Sequence, residues 1–485
     1  MVHLAPKALQ HRKGTFTDVP PELLKEVKNL ESQFYVNGDK LREIVDHFVG
    51  ELDKGLSKEG GNIPMIPGWV MEYPTGKETG DYLAIDLGGT NLRVVLVRLG
   101  GNRDFDTTQC KFQLPDHLRT GKSEDLWVFI AECLKNFVDE VFPDGCKETL
   151  PLGFTFSYPA SQEKINQGIL QRWTKGWSID GVEGKDVVPM LQEAIEKVGV
   201  SIDVVALIND TTGTLVASMY TDPEAKLGLI FGTGVNGAYF DVVKDIPKLE
   251  GKCPQDILPD SPMAINCEYG SFDNEKLILP RTKYDVRIDE ESPRRGQQTF
   301  EKMNSGYYLG EILRFILLEL AEEKHLIFKG QDLTNLKKPF IMDTSFPSKI
   351  EEDPFENLSE VAELFESKLG ITTTVPERKV IRKIAELVGE RSARLSVCGI
   401  AAICKKRGYK TAHCAADGSV YNKYPGFKIR AAKSLRDIFQ WGDDIKQDPI
   451  VIVPAEDGSG VGAAIIAALT EKRLKDGKSV GLKNA

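Results

Sequence analysis

The sequence predicts an α/β protein built on a duplicated mixed-sheet core with helices packed around it. Short apolar runs that end in polar or glycine-rich turns alternate with helical patterns. One unit, strand then glycine–threonine turn then strand, occurs at 82–99 and again at 227–243. The copies stand about 145 residues apart, which points to an internal duplication and two related lobes. A chain of 485 residues also exceeds one ordinary domain of about 100–200 residues.

The elements follow in order. Residues 1–18 hold Lys7, His11, Arg12 and Lys13, no acid before Asp18 and no amphipathic pattern, and read as a flexible basic arm. Pro20-Pro21 opens a helix with Leu23, Leu24, Val27, Leu30 and Phe34 on one face. Leu41, Ile44, Val45, Phe48, Val49, Leu52 and Leu56 give a second helix its core-facing stripe. The glycine- and proline-rich stretch 60–68 is a connector. Strand 82–87 runs into Gly88-Gly89-Thr90, and 92–99 returns; strands 152–156 and 204–208 and helices 125–142 and 187–198 follow. Strand 227–231 runs into Gly232-Thr233-Gly234, and 238–243 returns. Residues 309–330 and 376–407 are mostly helical, 332–360 is irregular surface, and strand 450–453 leads through 456–462 into an Ala/Ile helix ending near Leu469.

Composition excludes several classes. The hydrophobic share of 41% supplies enough apolar material for two cores, which rules out a disordered chain. No apolar run approaches the roughly 20 residues of a membrane span, so no membrane partner is expected. The net charge of −10 argues against nucleic acid as the main partner. The eight cysteines form no CxxC pair and share no ligand spacing with the six histidines, so no protein-held metal is expected. Scattered thiols and a start without a signal-peptide core point to the cytoplasm.

Several segments carry chemistry. Asp86-Leu-Gly-Gly-Thr-Asn91 ends a strand in a carboxylate and paired glycines, suited either to a hairpin turn or to backbone N–H groups approaching a phosphate. Neither this turn nor the 232–234 turn sits in a GxxxxGK[ST] P-loop or in a strand–GxGxxG–helix context. Asn209-Asp210 stands at the carboxyl end of an apolar strand, where open α/β sheets place ligands; Asp210 suits a helix N-cap, a general base toward an alcohol, or both. Ser157 ends another strand, Lys175 lies between Trp173 and Trp177, and Glu268 and Glu301 add two carboxylates. Gly418-Ser419 and the 456–460 segment form turns, the second opening a helix.

Taken together, Asp86-Leu-Gly-Gly-Thr-Asn-Leu-Arg93, Leu152-Gly-Phe-Thr-Phe-Ser-Tyr-Pro159, Gln171-Arg-Trp-Thr-Lys-Gly176, Leu207-Ile-Asn-Asp-Thr211, Ile230-Phe-Gly-Thr-Gly-Val-Asn236, Ile265-Asn-Cys-Glu-Tyr-Gly270 and Ala416-Asp-Gly-Ser419 resemble the eukaryotic hexokinase family, closest to the yeast-type single catalytic unit. The resemblance covers roughly 18–485. It implies the two-lobed actin-like ATPase fold, with sugar deep between the lobes and nucleotide at the mouth. It implies a large lobe of 19–72, 210–457 and 476–485 and a small lobe of 73–209 and 458–475. Asp210 is then the base toward the sugar 6-hydroxyl, with Lys175 beside it. Ser157, Thr174, Lys175, Asn209, Asn236, Glu268 and Glu301 bond the hexose. Asp86, Gly88, Gly89, Thr90, Asn91 and Thr233 surround the phosphates of MgATP, and Gly418 and Ser419 lie on the nucleotide side. Mg²⁺ arrives with ATP, near Asp86 and Asp210. Glucose, fructose and mannose are the implied sugars.

A hexose offers hydroxyls in every direction, so such a site needs many short polar side chains. Phosphoryl transfer needs positioning and charge stabilisation rather than covalent help. Water must also be kept from replacing the sugar, which lobe closure achieves, with Gly176, Gly213 and Gly237 as candidate compliant points. Arg12-Lys13-Gly14-Thr15 resembles a basic-directed phosphorylation site, and phosphate there would weaken an arm-dependent homodimer. The rival readings are a partner-moving ATPase and a sugar sensor.

Overall fold

A computed structural model describes residues 16–88, 91–146, 148–173, 177–442 and 447–483. Two mixed sheets share one plan. In the first, β1 (Thr79–Leu87), β2 (Asn91–Gly101) and β3 (Asp104–Gln113) form an antiparallel meander. Parallel strands β4 (Leu150–Phe156) and β5 (Ile202–Ile208) continue it, giving the order β3-β2-β1-β4-β5. In the second, β6 (Ala225–Phe231), β7 (Val235–Val242) and β8 (Pro262–Asn266) form the meander. Strands β9 (Ala412–Asp417) and β10 (Ile450–Pro454) complete the order β8-β7-β6-β9-β10, with the short strand Ile66–Pro67 added beside β8. The two glycine–threonine turns are therefore the equivalent first hairpins of two copies of one sheet.

Period-two alternation splits the first sheet between two apolar cores. Leu83, Ile85 and Leu87 enter one; Tyr82 and Ala84 face the other. All seven residues of β4 are buried, as expected for a parallel strand covered on both faces.

Helix α1 (Pro21–Phe34) starts with proline, whose missing N–H costs nothing there. Helix α2 (Gly38–Ser57) is capped by Asn37, which accepts from the Lys40 N–H at 2.8 Å. Helices α3 (Ser123–Val141) and α4 (Val187–Val198) pack together; apolar residues of both join Leu83, Ile85 and Leu87 in the smaller core. Helix α5 (Asp210–Thr221) follows β5 yet packs on the second sheet, against β6 and β7. Helices α6 (Thr299–Asn304) and α7 (Gly306–Leu318) lie beyond it, and α8 (Val375–Arg407) crosses α1, α2 and α7. After β10, a π-helical turn, Gly458–Gly462, leads into α9 (Ala463–Lys475), which packs back on β1, β4 and β5 of the first sheet.

Where α5 meets the π-helical turn, backbones touch. A Cβ on Gly213 would lie 2.2 Å from the Gly458 carbonyl oxygen, and one on Gly462 would lie 2.1 Å from that of Gly213. Only glycine permits this approach. Gly213 thus serves close packing, as does Gly237, where a Cβ would lie 2.5 Å from the Tyr269 ring. Gly176 lies outside the described residues.

Other expectations change in detail. Within 332–360 the helix Ser345–Glu352 buries Phe346 and Ile350, too short a pattern to stand out amid flanking prolines. Helix α9 runs past Leu469 to Lys475 on a charged turn that includes the 2.8 Å Lys475–Glu471 pair. Residues 16–18 belong to the folded body rather than to an arm: Phe16 packs on the core and Asp18 pairs with Lys379 at 2.7 Å. Residues 1–15, with Thr15, lie outside the described residues. The tail after 476 also reaches the first-sheet side, because the N–H groups of Ile165 and Leu482 bond the carbonyls of Val480 and Glu163. Among the described residues no helix is long and apolar enough to cross a membrane.

Candidate active site

Strand β1 delivers Asp86 opposite Arg93 of β2, and the Gly88 N–H closes the hairpin on the Asn91 carbonyl at 3.0 Å. Gly89 and Thr90 lie outside the described residues. Arg93 grips Asp457 with two bonds of 2.7 Å, also bonds the Ser459 hydroxyl, and stands 4.0 Å from Asp86. This fork geometry is specific to arginine. It ties the first hairpin to the segment after β10.

The second turn is seated on the start of α7. The Gly232 carbonyl accepts from the Gly306 N–H at 2.8 Å, and the Thr233 carbonyl from the Tyr307 N–H at 3.3 Å. Gly418 has φ of 109°, and a Cβ there would lie 2.5 Å from the Phe231 carbonyl carbon. Glycine lets that segment press against the turn. Ser419 begins the short helix Ser419–Lys423.

Strand β5 leads directly into Asn209 and Asp210. The N-cap of α5 is Asn209, which accepts from the Thr211 N–H at 2.9 Å, and not Asp210. Asp210 is instead the first helical residue, accepting from the Thr211 hydroxyl at 3.2 Å. A carboxylate there is steadied by the helix N-terminus.

Asn236 of β7 organises the densest polar cluster. Its amide nitrogen donates to Asn266 Oδ1 at 2.8 Å and to Glu268 Oε1 at 3.0 Å. Asn266 donates to that same Glu268 oxygen at 2.9 Å. Asn236 Oδ1 accepts from the N–H groups of Gly237 at 2.7 Å and Glu268 at 2.9 Å. Glu268 is held at φ of 56°, a strained backbone for a non-glycine residue. Glu301 on α6 accepts from the Val235 N–H at 3.2 Å. Both residues are half-buried, with their carboxyls enclosed by protein. Burial raises the Glu268 pKa, and the charge of Asp210 adds to the effect. Burial pushes Glu301 up to about 7, opposed by the Val235 N–H and reinforced by Glu268.

Thus Asn236, Glu268 and Glu301 gather with Asp210 electrostatically close, Gly232 lies against Gly418, and Asp86 stands near Arg93. Ser157 follows β4, next to Tyr158, whose hydroxyl bonds the Gly88 carbonyl at 3.4 Å. Trp173 and Trp177 stack with centroids 5.2 Å apart, while Thr174 and Lys175 lie outside the described residues.

Two family profiles, both described as hexokinase, match residues 26–220 and 226–469. Over the full length of both proteins, the chain is 80% identical to Hexokinase-2 of Candida albicans and 67% identical to Hexokinase-1 of Saccharomyces cerevisiae. The structure of a hexokinase from Schistosoma mansoni complexed with glucose superposes with a TM-score of 0.81 at 33% identity, covering 92% of this chain and 99% of that one. The chain belongs to the hexokinase family.

For this hexokinase-family chain, sequence reading overlooked Arg93, Asp457 and Asn266 as site residues. Arg93 and Asn266 stand inside the family-like motifs, and Asp457 inside the 456–460 turn. What singles them out is pairing across the fold, between residues 364 apart for Arg93 and Asp457 and 30 apart for Asn236 and Asn266.

Proposed function

We propose that this site transfers the γ-phosphoryl group of ATP to the 6-hydroxyl of glucose, with Asp210 as the general base. The observation that carries the residue assignment is Asp210 at the head of α5, close enough to the Asn236–Asn266–Glu268–Glu301 cluster for its charge to act on Glu268. The protein is an ATP-dependent hexose kinase.

In this reading Ser157, Thr174, Lys175, Asn209, Asn236, Glu268 and Glu301 meet the sugar hydroxyls. The prepaired amides of Asn236 and Asn266 fix Glu268 before sugar arrives, so little is lost in ordering it. Asp210 takes the proton from the 6-hydroxyl as the oxygen attacks phosphorus. Asp86, Gly88, Gly89, Thr90, Asn91 and Thr233 line the phosphates, and Gly418 and Ser419 meet the rest of the nucleotide. Among the described residues no group of three or more His, Cys, Asp or Glu could hold a metal by itself. One or two carboxylates fit Mg²⁺, which usually binds through a few carboxylates plus substrate phosphates. Mg²⁺ would arrive with ATP, with Asp86 and Asp210 nearby, and would offset charge on the phosphates.

Fructose and mannose are proposed as further sugars, since the motifs do not distinguish hexoses that differ by one hydroxyl or carbonyl. The lobes are proposed to divide near 73, 209 and 458, supported by the crossing of α5 and α9. Eight free cysteines support a cytoplasmic location. An arm-dependent homodimer is proposed from the basic residues before Thr15.

The test is ADP formation from MgATP with and without glucose, alongside glucose binding read by tryptophan fluorescence. Glucose-dependent turnover supports the reading. Glucose-indifferent turnover would favour an ATPase, and binding without turnover a sensor.

A further inference from the structure

Beneath the Gly232–Thr233–Gly234 turn lies a narrow gap lined by Gly232, Gly234, Asn304, Ser305 and Ser396 among others. It is too narrow to admit a water molecule. Asn304 and Ser305 are each 2% exposed, yet neither the amide nitrogen nor the amide oxygen of Asn304 has a hydrogen-bond partner, and neither does the Ser305 hydroxyl. Buried polar atoms are normally paired, so three together in one place call for a reason. Ser305 is the N-cap residue of α7, where serine usually accepts from a free helix N–H. Here its side chain makes no cap bond.

The surroundings suggest that reason. Residues 301–307 follow the turn along its length. Glu301 accepts from the Val235 N–H, and Gly306 and Tyr307 donate to the carbonyls of Gly232 and Thr233. Asn304 and Ser305 lie between these contacts, facing the underside of the turn across the narrow space. The peptide groups of the turn are polar groups that line the same gap.

We propose that Asn304 and Ser305 form a polar seat onto which the 232–234 turn settles when nucleotide phosphates bind, making them positioning residues for phosphoryl transfer. This rests on the reading of Thr233 as a phosphate contact. Settling of the turn would pair the seat. Glu301 and Asn304 share α6 and Ser305 follows it, so the sugar contact and the phosphate seat are neighbours in the chain.

The arrangement makes an unusual combination of outcomes. Replacing an unpaired buried polar group with an apolar group of similar shape is nearly neutral or stabilising. Asn304→Leu and Ser305→Ala are therefore expected to keep or raise the melting temperature of the ligand-free enzyme. The KM for MgATP at saturating glucose should rise roughly tenfold, while glucose affinity by tryptophan fluorescence stays within about twofold. Asn304→Ser, which keeps a short hydrogen-bonding group, should restore most of the MgATP affinity. Equilibrium binding of a fluorescent ATP analogue in the same variants gives the nucleotide effect without relying on turnover, so the seat is judged separately from the kinase reading. A variant that melts earlier, that weakens glucose and nucleotide alike, or that leaves nucleotide affinity unchanged overturns the seat.

Discussion

The two sheets have the same strand order, yet matching positions in them carry different chemistry. In the first hairpin Asp86 faces Arg93; at the same register of the second, Ile230 faces Asn236. Arg93 reaches across to Asp457, which follows the fifth strand of the other half. Asn236 reaches Glu268, on which the charge of Asp210 acts, and Asp210 follows the fifth strand of the first half. A cation thus meets one late carboxylate and a neutral amide network stands near the other. The shared strand order supplies the frame, while one side chain on the second strand decides which late carboxylate meets a cation and which stands near an amide network.

The sharpest way to break this comparison is at its two late carboxylates. Asp210→Ala should lower kcat by about 10²–10⁴-fold while glucose binding persists. A loss below about tenfold would remove Asp210 as the base. Next in size is the glycine crossing. Gly213→Ala places a methyl 2.2 Å from the Gly458 carbonyl oxygen, and Gly462→Ala one 2.1 Å from that of Gly213. Each should cost about 1–3 kcal/mol in urea unfolding, as overpacking does. Markedly unequal costs would show that the two sides of the crossing are not equivalent. Asp457→Asn leaves the Arg93 fork half paired and should cost about 1.5–3 kcal/mol, with a raised KM for MgATP and little change for glucose. An effect on glucose alone would contradict the division of labour.

The mildest test uses pH. Glu301 stands near 7 when folded against an ordinary value of 4.5, so the folded protein holds a proton that the unfolded chain releases between those values. Its contribution to stability is complete below about 4.5 and is lost as pH rises through about 7. Relative to Glu301→Gln, the wild type should therefore lose stability between about pH 5 and pH 8. A difference that stays flat across that window would show that Glu301 ionises normally.

Much of this was legible in the sequence, for identifiable reasons. Strands such as β5 announce themselves through an unbroken apolar run that ends at Asn209-Asp210, and α4 begins and ends where its pattern does. The two hairpins were visible because glycine and threonine punctuate them. Strand β3 was not visible: most of its residues are exposed on one edge, and Asp104, Asp106, Thr107 and Thr108 carry no apolar signal. The cap at Asn209 was assigned to its neighbour because Asn and Asp suit that place equally, and only backbone geometry separates them. The Arg93–Asp457 fork and the Asn304–Ser305 pair depend on contacts between distant segments, about which spacing along the chain says nothing.

The exchange of α5 and α9 between sheets has a consequence for how the protein can be divided. The two family profiles meet between residues 220 and 226, so each sequence half ends with the helix that covers the other half's sheet. A fragment ending at Thr221 would carry α5 with nothing to cover and leave β1, β4 and β5 bare where α9 belongs. Cut there, the chain yields two pieces that are each an open surface seeking the other, like a clasp whose hook is stored on the opposite side. The stretch that repeats in the chain and the stretch that covers its own sheet are therefore different.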